Sequence, residues 1–208
     1  MWASVNLSAL TTRILRQFWT SKMFFVAYHE RMETFSARFK IRSACLEDAP
    51  AIAKTYALAK RLSLPDLLTD LDGDSDFQSN RWRDYMAHGS RAQFATGDSY
   101  VSVAEVEDQM VGYVAWHSTT RHGAESELQS LYVLREFQNL GIGRALLCHA
   151  VEQALSRGIQ SMCVGYDPSN PYKRFYSKNG AQPLNEHWSL WVDLATVLAL
   201  RDTSGSPN

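Results

Sequence analysis

Paired cysteines, a long apolar run and a dominant charge are all missing from this chain of 208 residues, and each absence closes a class of function. Its three cysteines, Cys45, Cys148 and Cys163, stand far apart with no Cys-x-x-Cys spacing. Cys148 and Cys163 fall in apolar helix-like and strand-like patterns, which reads as buried free thiols rather than a disulfide framework or a zinc site. That usage suits a reducing compartment, so a cytoplasmic location and no bound metal are expected. No apolar stretch reaches the roughly 20 residues of a membrane-spanning helix, so no membrane partner is expected. A formal net charge of −1 excludes a nucleic-acid binder that relies on bulk electrostatics. Internal repeats and low-complexity tracts are also absent. What remains is a chain with 45% hydrophobic residues, enough for one core and hence one domain.

The richest stretch runs from Glu127 to Arg144. A strand-like Glu-Leu-Gln-Ser-Leu-Tyr-Val is followed by a short polar connection, and Gln138-Asn139-Leu140-Gly141-Ile142-Gly143-Arg144 then opens a helix. Backbone N–H groups at a helix start lack intrahelical partners, and with the positive end of the helix dipole they form a site for an anion such as a pyrophosphate. Side chains at Gly141 and Gly143 would hold a phosphate away from that backbone. The helix itself is legible from Ala145, Leu146, Leu147, Ala150, Val151, Ala154 and Leu155, a broad stripe at helical period, with Gly158 as a stop signal. A P-loop would need Gly-Lys-Ser/Thr, but Arg144-Ala145 follows Gly143. A dinucleotide fingerprint needs a third glycine and an acid about twenty positions on. Leu146 occupies the glycine position, and Ser161 to Gly165 carries no acid.

The remaining pattern, Gln-x-x-Gly-x-Gly after a strand ending Leu131-Tyr132-Val133, resembles the coenzyme A pyrophosphate loop of the GNAT superfamily of N-acyltransferases. The flanks, Arg-Glu-Phe-Gln before the glycines and Arg-Ala-Leu-Leu after them, are similar as well. The resemblance implies an α/β (α+β type) GNAT fold: a mixed, mostly antiparallel central sheet flanked by helices, with strands splayed at the acetyl-CoA site. It implies acetyl-CoA as acyl donor, held by Leu131, Tyr132, Val133 and the loop Gln138 to Arg144. Backbone N–H groups near Val133, freed where strands part, would bond the pantetheine arm and the thioester oxygen.

The coarse order along the chain agrees with that fold over roughly residues 38 to 194. Arg38 to Ser43 reads as a first strand and Ala51 to Leu62 as a helix. Asp66 to Asp76 reads as a loop or short helical turn, and Phe77 to His88 as a second helix. Tyr100 to Val106 and Met110 to His117 read as strands joined by a tight turn, and a third strand covers about Glu125 to Val133. After the long helix come a strand at Gln160 to Gly165, a short helix at Tyr172 to Asn179 and a closing strand at His187 to Leu194. In this family the early helix-loop-helix commonly lines the acceptor cleft. Asp70, Asp72, Asp74 and Asp76 could there attract a cationic amine, or simply form a solvated loop. The domain is expected to span residues 36–197, with a C-terminal tail at 198–208 that is polar from Thr203 on. Residues 1–35 are set apart as an N-terminal extension, because no acid occurs from Met1 to His29. The extension reads as an organelle transit peptide or as translated upstream sequence before Met32. The second is preferred, since GNAT domains open with a strand like Phe39-Lys40-Ile41-Arg42 soon after their start.

Acyl transfer to an amine needs a base, a carbonyl polariser and an acid for the departing thiolate. Asn170-Pro171-Tyr172-Lys173-Arg174-Phe175-Tyr176 resembles the family segment whose tyrosine protonates the coenzyme A sulfur, which makes Tyr176 the expected acid. Asn170 would bond the pantetheine and Lys173 a cofactor phosphate. Ala181 stands where the family usually has an aromatic. Glu127 is the expected base, chosen because alternation gives it the same face as Leu131 and Val133. Glu125, Glu105, His117 and His122 are the alternatives. The resulting expectation is an N-acetyltransferase in which a primary amine attacks the thioester directly. The alternative is a non-catalytic acyl-CoA-binding sensor. The identity of the amine and the presence of a homodimer are left open.

Overall fold

The computed structural model describes residues 39–203. The chain falls into two units, Met1–Arg38 and Phe39–Asn208, and the described residues all belong to the second. The expectations for residues 1–35 and for the last residues of the tail lie outside them.

Strand β1 (Phe39–Ser43) leads through a 3₁₀ turn into α1 (Ala49–Ser63), where Pro50 sits in the first turn and Lys60 and Arg61 in the last, as the helix dipole favours. A one-turn helix α2 (Asp70–Gly73) precedes α3 (Ser75–His88). Long strands β2 (Ala95–Val106), β3 (Gln109–Thr119) and β4 (Ser126–Val133) form a meander. Then follow α4 (Ile142–Leu155), β5 (Met162–Gly165), α5 (Arg174–Lys178), the short β6 (Gln182–Pro183), β7 (Trp188–Trp191) and α6 (Ala195–Thr203). One seven-stranded sheet runs β1-β2-β3-β4-β5-β7-β6. Only the β4–β5 pair is parallel, because α4 supplies the crossover that parallel pairing requires. The mixed, mostly antiparallel sheet flanked by helices is the architecture expected from the sequence.

Alternation along β3 assigns the two faces. Tyr113 and Ala115 join Ile52, Tyr56, Trp82 and Val103 in the core under α1 and α3. Trp116 faces the other way, stacks on Tyr100 at 4.3 Å and donates its indole N–H to Gln153 of α4. Among the described residues no helix is long and apolar enough to cross a membrane.

Beyond an earlier start of β2 at Ala95 and the added short strand β6, two segments differ from the sequence reading. The closing strand is shorter, and the chain continues into α6, which the sequence pattern did not reveal. Asp193 starts this helix by accepting the Ala195 amide at 2.9 Å, and Val197 buries against the body. The second difference is Asp72, which is buried rather than solvated. Its carboxylate accepts from Lys60 Nζ at 2.8 Å, Tyr56 Oη at 2.5 Å, and the amide and hydroxyl of Thr69 at 2.7 and 2.8 Å. Burial alone would raise its pKa, but these donors, Lys60 first, overcome that and hold it well below the usual carboxylate range.

A carboxylate with a depressed folded-state pKa contributes stability above its unfolded value near 4, and that stability is lost as pH falls toward the folded value. Asp72→Ala, which strands Lys60, should destabilise the protein by about 3 kcal/mol at pH 7. The gap from wild type should narrow by roughly 1 kcal/mol for each pH unit below about 4. Urea unfolding at pH 7 and pH 3 measures both quantities.

Candidate functional site

Beyond Val133 the chain makes a 3₁₀ turn at Arg135–Phe137 and then the glycine loop. Gln138 anchors that loop by donating its side-chain amide to the Val133 carbonyl at 3.0 Å, which gives this residue a structural reason besides any ligand. Asn139 and Gly141 both adopt left-handed backbone, with φ of 60° and 82°. These turns bring the chain round to start α4 at Ile142. The first bond back into the loop runs from the Ala145 amide to the Gly141 carbonyl, so among the described residues the amides of Ile142, Gly143 and Arg144 have no backbone acceptor. They form a hollow of donors at the positive end of a 14-residue helix. Gly143 does not have left-handed backbone. A Cβ there would meet Phe175 and Val133 at 3.7 and 3.8 Å, ordinary contact distances, so the fold itself does not demand glycine.

Strand β4 pairs with β5 only through Ser126, Glu127 and Leu128, opposite Met162, Cys163 and Val164. From Gln129 to Val133 its far edge has no strand partner among the described residues, and the strands part as the resemblance implied. On the other edge, the register against β3 jumps from Ser130 opposite Ala115 to Leu128 opposite Trp116, leaving Gln129 as a bulge. This extra residue reverses the alternation. Glu127 lies opposite His117 and Tyr132 opposite Tyr113, so Glu127 shares its face with Tyr132 and not with Leu131 and Val133, correcting the parity read from the sequence. The face it does share is the one covered by α1 and α3.

The carboxylates weighed as bases separate by their partners. Glu105 accepts from Arg42, which also pairs with Asp48 at 2.7 Å. Glu125 accepts from the amides of Gln160 and Ser161 and staples the start of β5. Glu127 is 8% exposed and accepts from Arg121 Nε at 2.9 Å. Arg121 is held between the rings of Phe94 and Trp188, each at 4.9 Å. His117, fully buried, bonds Tyr85 Oη through Nδ1 at 3.2 Å and turns Nε2 toward Glu127 at 3.9 Å. Burial, and then the charge of Arg121, push its pKa down to about 4, so it is neutral near pH 7. His122 is exposed against the Trp188 ring at 4.7 Å.

Helix α5 carries Tyr176. Its half-buried ring stacks on Tyr166 at 5.7 Å and meets Trp191 edge-on at 6.0 Å. Burial first, then the neighbouring phenols of Tyr132 and Tyr166, raise its pKa, so the hydroxyl stays protonated at neutral pH. Among the described residues that hydroxyl has no hydrogen-bond partner. Asn170 accepts the Tyr172 amide at 2.8 Å, and Lys173 donates to the Pro168 carbonyl at 2.6 Å, so both side chains brace the turn before α5. Leu131, Tyr132 and Leu140 are half-buried along the path between β4 and the loop. Sequence reasoning missed Arg121, Tyr85 and the ring cluster around Tyr132. Alternation in β3 carried a signal for the cluster, whereas nothing local marks Arg121. Among the described residues no group of His, Cys, Asp and Glu is placed to hold a metal ion.

Comparison with known proteins supplies independent findings. The family described as Acetyltransferase (GNAT) family matches residues 64–181. An uncharacterized N-acetyltransferase, YuaI of Bacillus subtilis, is 28% identical over 139 residues, covering 65% of this chain and 76% of that protein. The PaiA N-acetyltransferase of Thermoplasma acidophilum, solved with coenzyme A, superposes with a TM-score of 0.58 at 16% identity, over 73% of this chain and 96% of that one. A GNAT family acetyltransferase of Brucella melitensis, solved with acetyl-CoA, gives a TM-score of 0.51 at 21% identity, over 74% and 86%.

The two glycines should respond oppositely to alanine. Gly141→Ala places a Cβ on left-handed backbone and should cost about 1 kcal/mol. Gly143→Ala meets ordinary contacts in a helix and should leave stability unchanged or raise it by up to about 1 kcal/mol. Denaturant midpoints of the two variants check the contrast.

Proposed function

The chain belongs to the acetyltransferase (GNAT) family, and on that premise we propose that this acyltransferase moves an acetyl group from acetyl-CoA to a primary amine by direct attack on the thioester. The observation that carries the reading is a single opening in the sheet with three kinds of group around it. The unpaired edge of β4 and the amides of Ile142, Gly143 and Arg144 flank it, with Tyr176 close to Tyr132 of β4 and Glu127 on the face that Tyr132 shares. The activity is assigned to residues 36–197.

In this reading the helix-start amides take the pyrophosphate, and free backbone N–H groups between Gln129 and Val133 polarise the thioester carbonyl. Glu127, fixed by Arg121, takes a proton from the amine, directly or through a water. The amine nitrogen bonds the carbonyl carbon, the carbon–sulfur bond breaks, and Tyr176 passes its proton to the departing sulfur. An acyl-cysteine route finds no support. Cys163, the cysteine nearest Glu127, is buried, and burial pushes its thiol up to about 12, far from the thiolate a nucleophile requires.

Gly143→Val should raise the Kd for acetyl-CoA at least tenfold by blocking the amide hollow, while the melting temperature stays within a few degrees. Titration calorimetry and a thermal scan read the two quantities. Glu127→Gln and Tyr176→Phe should each lower kcat by about 100-fold or more with little change in acetyl-CoA affinity, since each removes one proton-transfer group and keeps its shape. Steady-state kinetics on any accepted amine, with wild-type turnover in either variant, would remove that residue from the mechanism.

A further inference from the structure

Of the acids thought to draw a cationic amine, Asp72 and Asp74 are occupied by the fold. Asp72 is enclosed by Lys60, Tyr56 and Thr69, and Asp74 caps α3 by accepting the Phe77 amide at 2.9 Å. The same wall also carries a cation. Arg81 of α3 rests its guanidinium 5.3 Å from the Tyr56 ring centroid and 5.1 Å from that of Trp82. Among the described residues it has no carboxylate partner and no hydrogen bond. By contrast, Lys60 is paired with Asp72 and Arg121 with Glu127.

Its position connects to the proposed reaction centre through rings. Tyr56 meets Tyr132 edge-on at 5.5 Å, and Tyr132 stacks on Tyr113. Tyr132 lies between Leu131 and Val133, on the unpaired stretch of β4 and on the face that also carries Glu127. Two ring contacts therefore separate the guanidinium from the strand that would hold the thioester. A guanidinium fixed against two aromatic surfaces is pre-organised, with its N–H fork available for a planar anion. Arg81 is also close enough for its charge to act on the Tyr132 hydroxyl, as are Lys60 and Asp72.

We propose that the acceptor amine carries a carboxylate, as an amino acid or short peptide does, and that Arg81 is the residue that selects it. This rests on the acetyl-transfer reading above and names the substrate class of that same site.

The test uses the full chain with acetyl-CoA and matched acceptors: amino acids and dipeptides, each beside its C-terminal amide, with a diamine for comparison. Expected is a kcat/KM at least tenfold higher for the carboxylate form than for its amide. Arg81→Gln should bring that ratio to about one, and Arg81→Lys should retain part of it, with the Kd for acetyl-CoA unchanged in both. A wild-type ratio of one, a preference for the diamine, or an undiminished ratio in Arg81→Gln would overturn the assignment. The wild-type ratio is informative whether or not either variant folds. Acetylation of amines without regard to the acid sinks this inference alone, whereas acetyl-CoA binding with no amine acetylated sinks the transfer reading and this inference together.

Discussion

Strand β4 holds to β5 for three residues and then stands alone on that edge, and the rest of the site depends on this limited pairing. Backbone N–H and C=O groups in a folded interior are normally paired, so an unpaired strand edge inside a sheet is a ready set of donors and acceptors. Two local features maintain the opening. The bulge at Gln129 bends β4, and β5 stops at Gly165, where a Cβ would stand 2.9 Å from the Trp188 ring. Further along, the left-handed residues Asn139 and Gly141 aim the start of α4 at the same region. The donors on the strand and those on the helix thus converge although no side chain supplies them.

Charge is distributed around this opening with few loose ends. Arg42 binds Asp48 and Glu105 at the far side of the sheet, Lys60 binds Asp72 beneath α1, and Arg121 binds Glu127 beside the bulge. The first two arrangements anchor the helices that cover one face. The third serves a different end, because it fixes a carboxylate on the face reached through the opening. In a largely buried pair of this kind desolvation offsets much of the attraction, so its net contribution to stability is small. Its value lies in orientation, with the guanidinium itself clamped between Phe94 and Trp188. The buried His117 lies behind the carboxylate and, being neutral, adds no competing charge.

The order of elements and the loop were legible in the sequence by itself, for local reasons. Apolar residues from Ala145 to Leu155 recur at helical period, glycines mark the helix start, and alternation marks β2 and β3. Each of these signals depends on residues within a few positions of one another. The sequence therefore determined the fold class, the parting of strands implied by the family pattern, and the amide hollow before α4. It did not determine which way Glu127 points. Alternation counts residues, and only the register against β3 shows that one residue, Gln129, is inserted. Nor did it determine that Asp72 is a buried partner of Lys60 while Arg81 stands without an acid, since Asp72 reads like its exposed neighbours Asp70 and Asp74. Those outcomes depend on how separate segments pack: α1 against α2, β3 against β4, and the β3–β4 turn against β7. Electrostatic pairing and strand register are properties of that packing, and no local pattern encodes them.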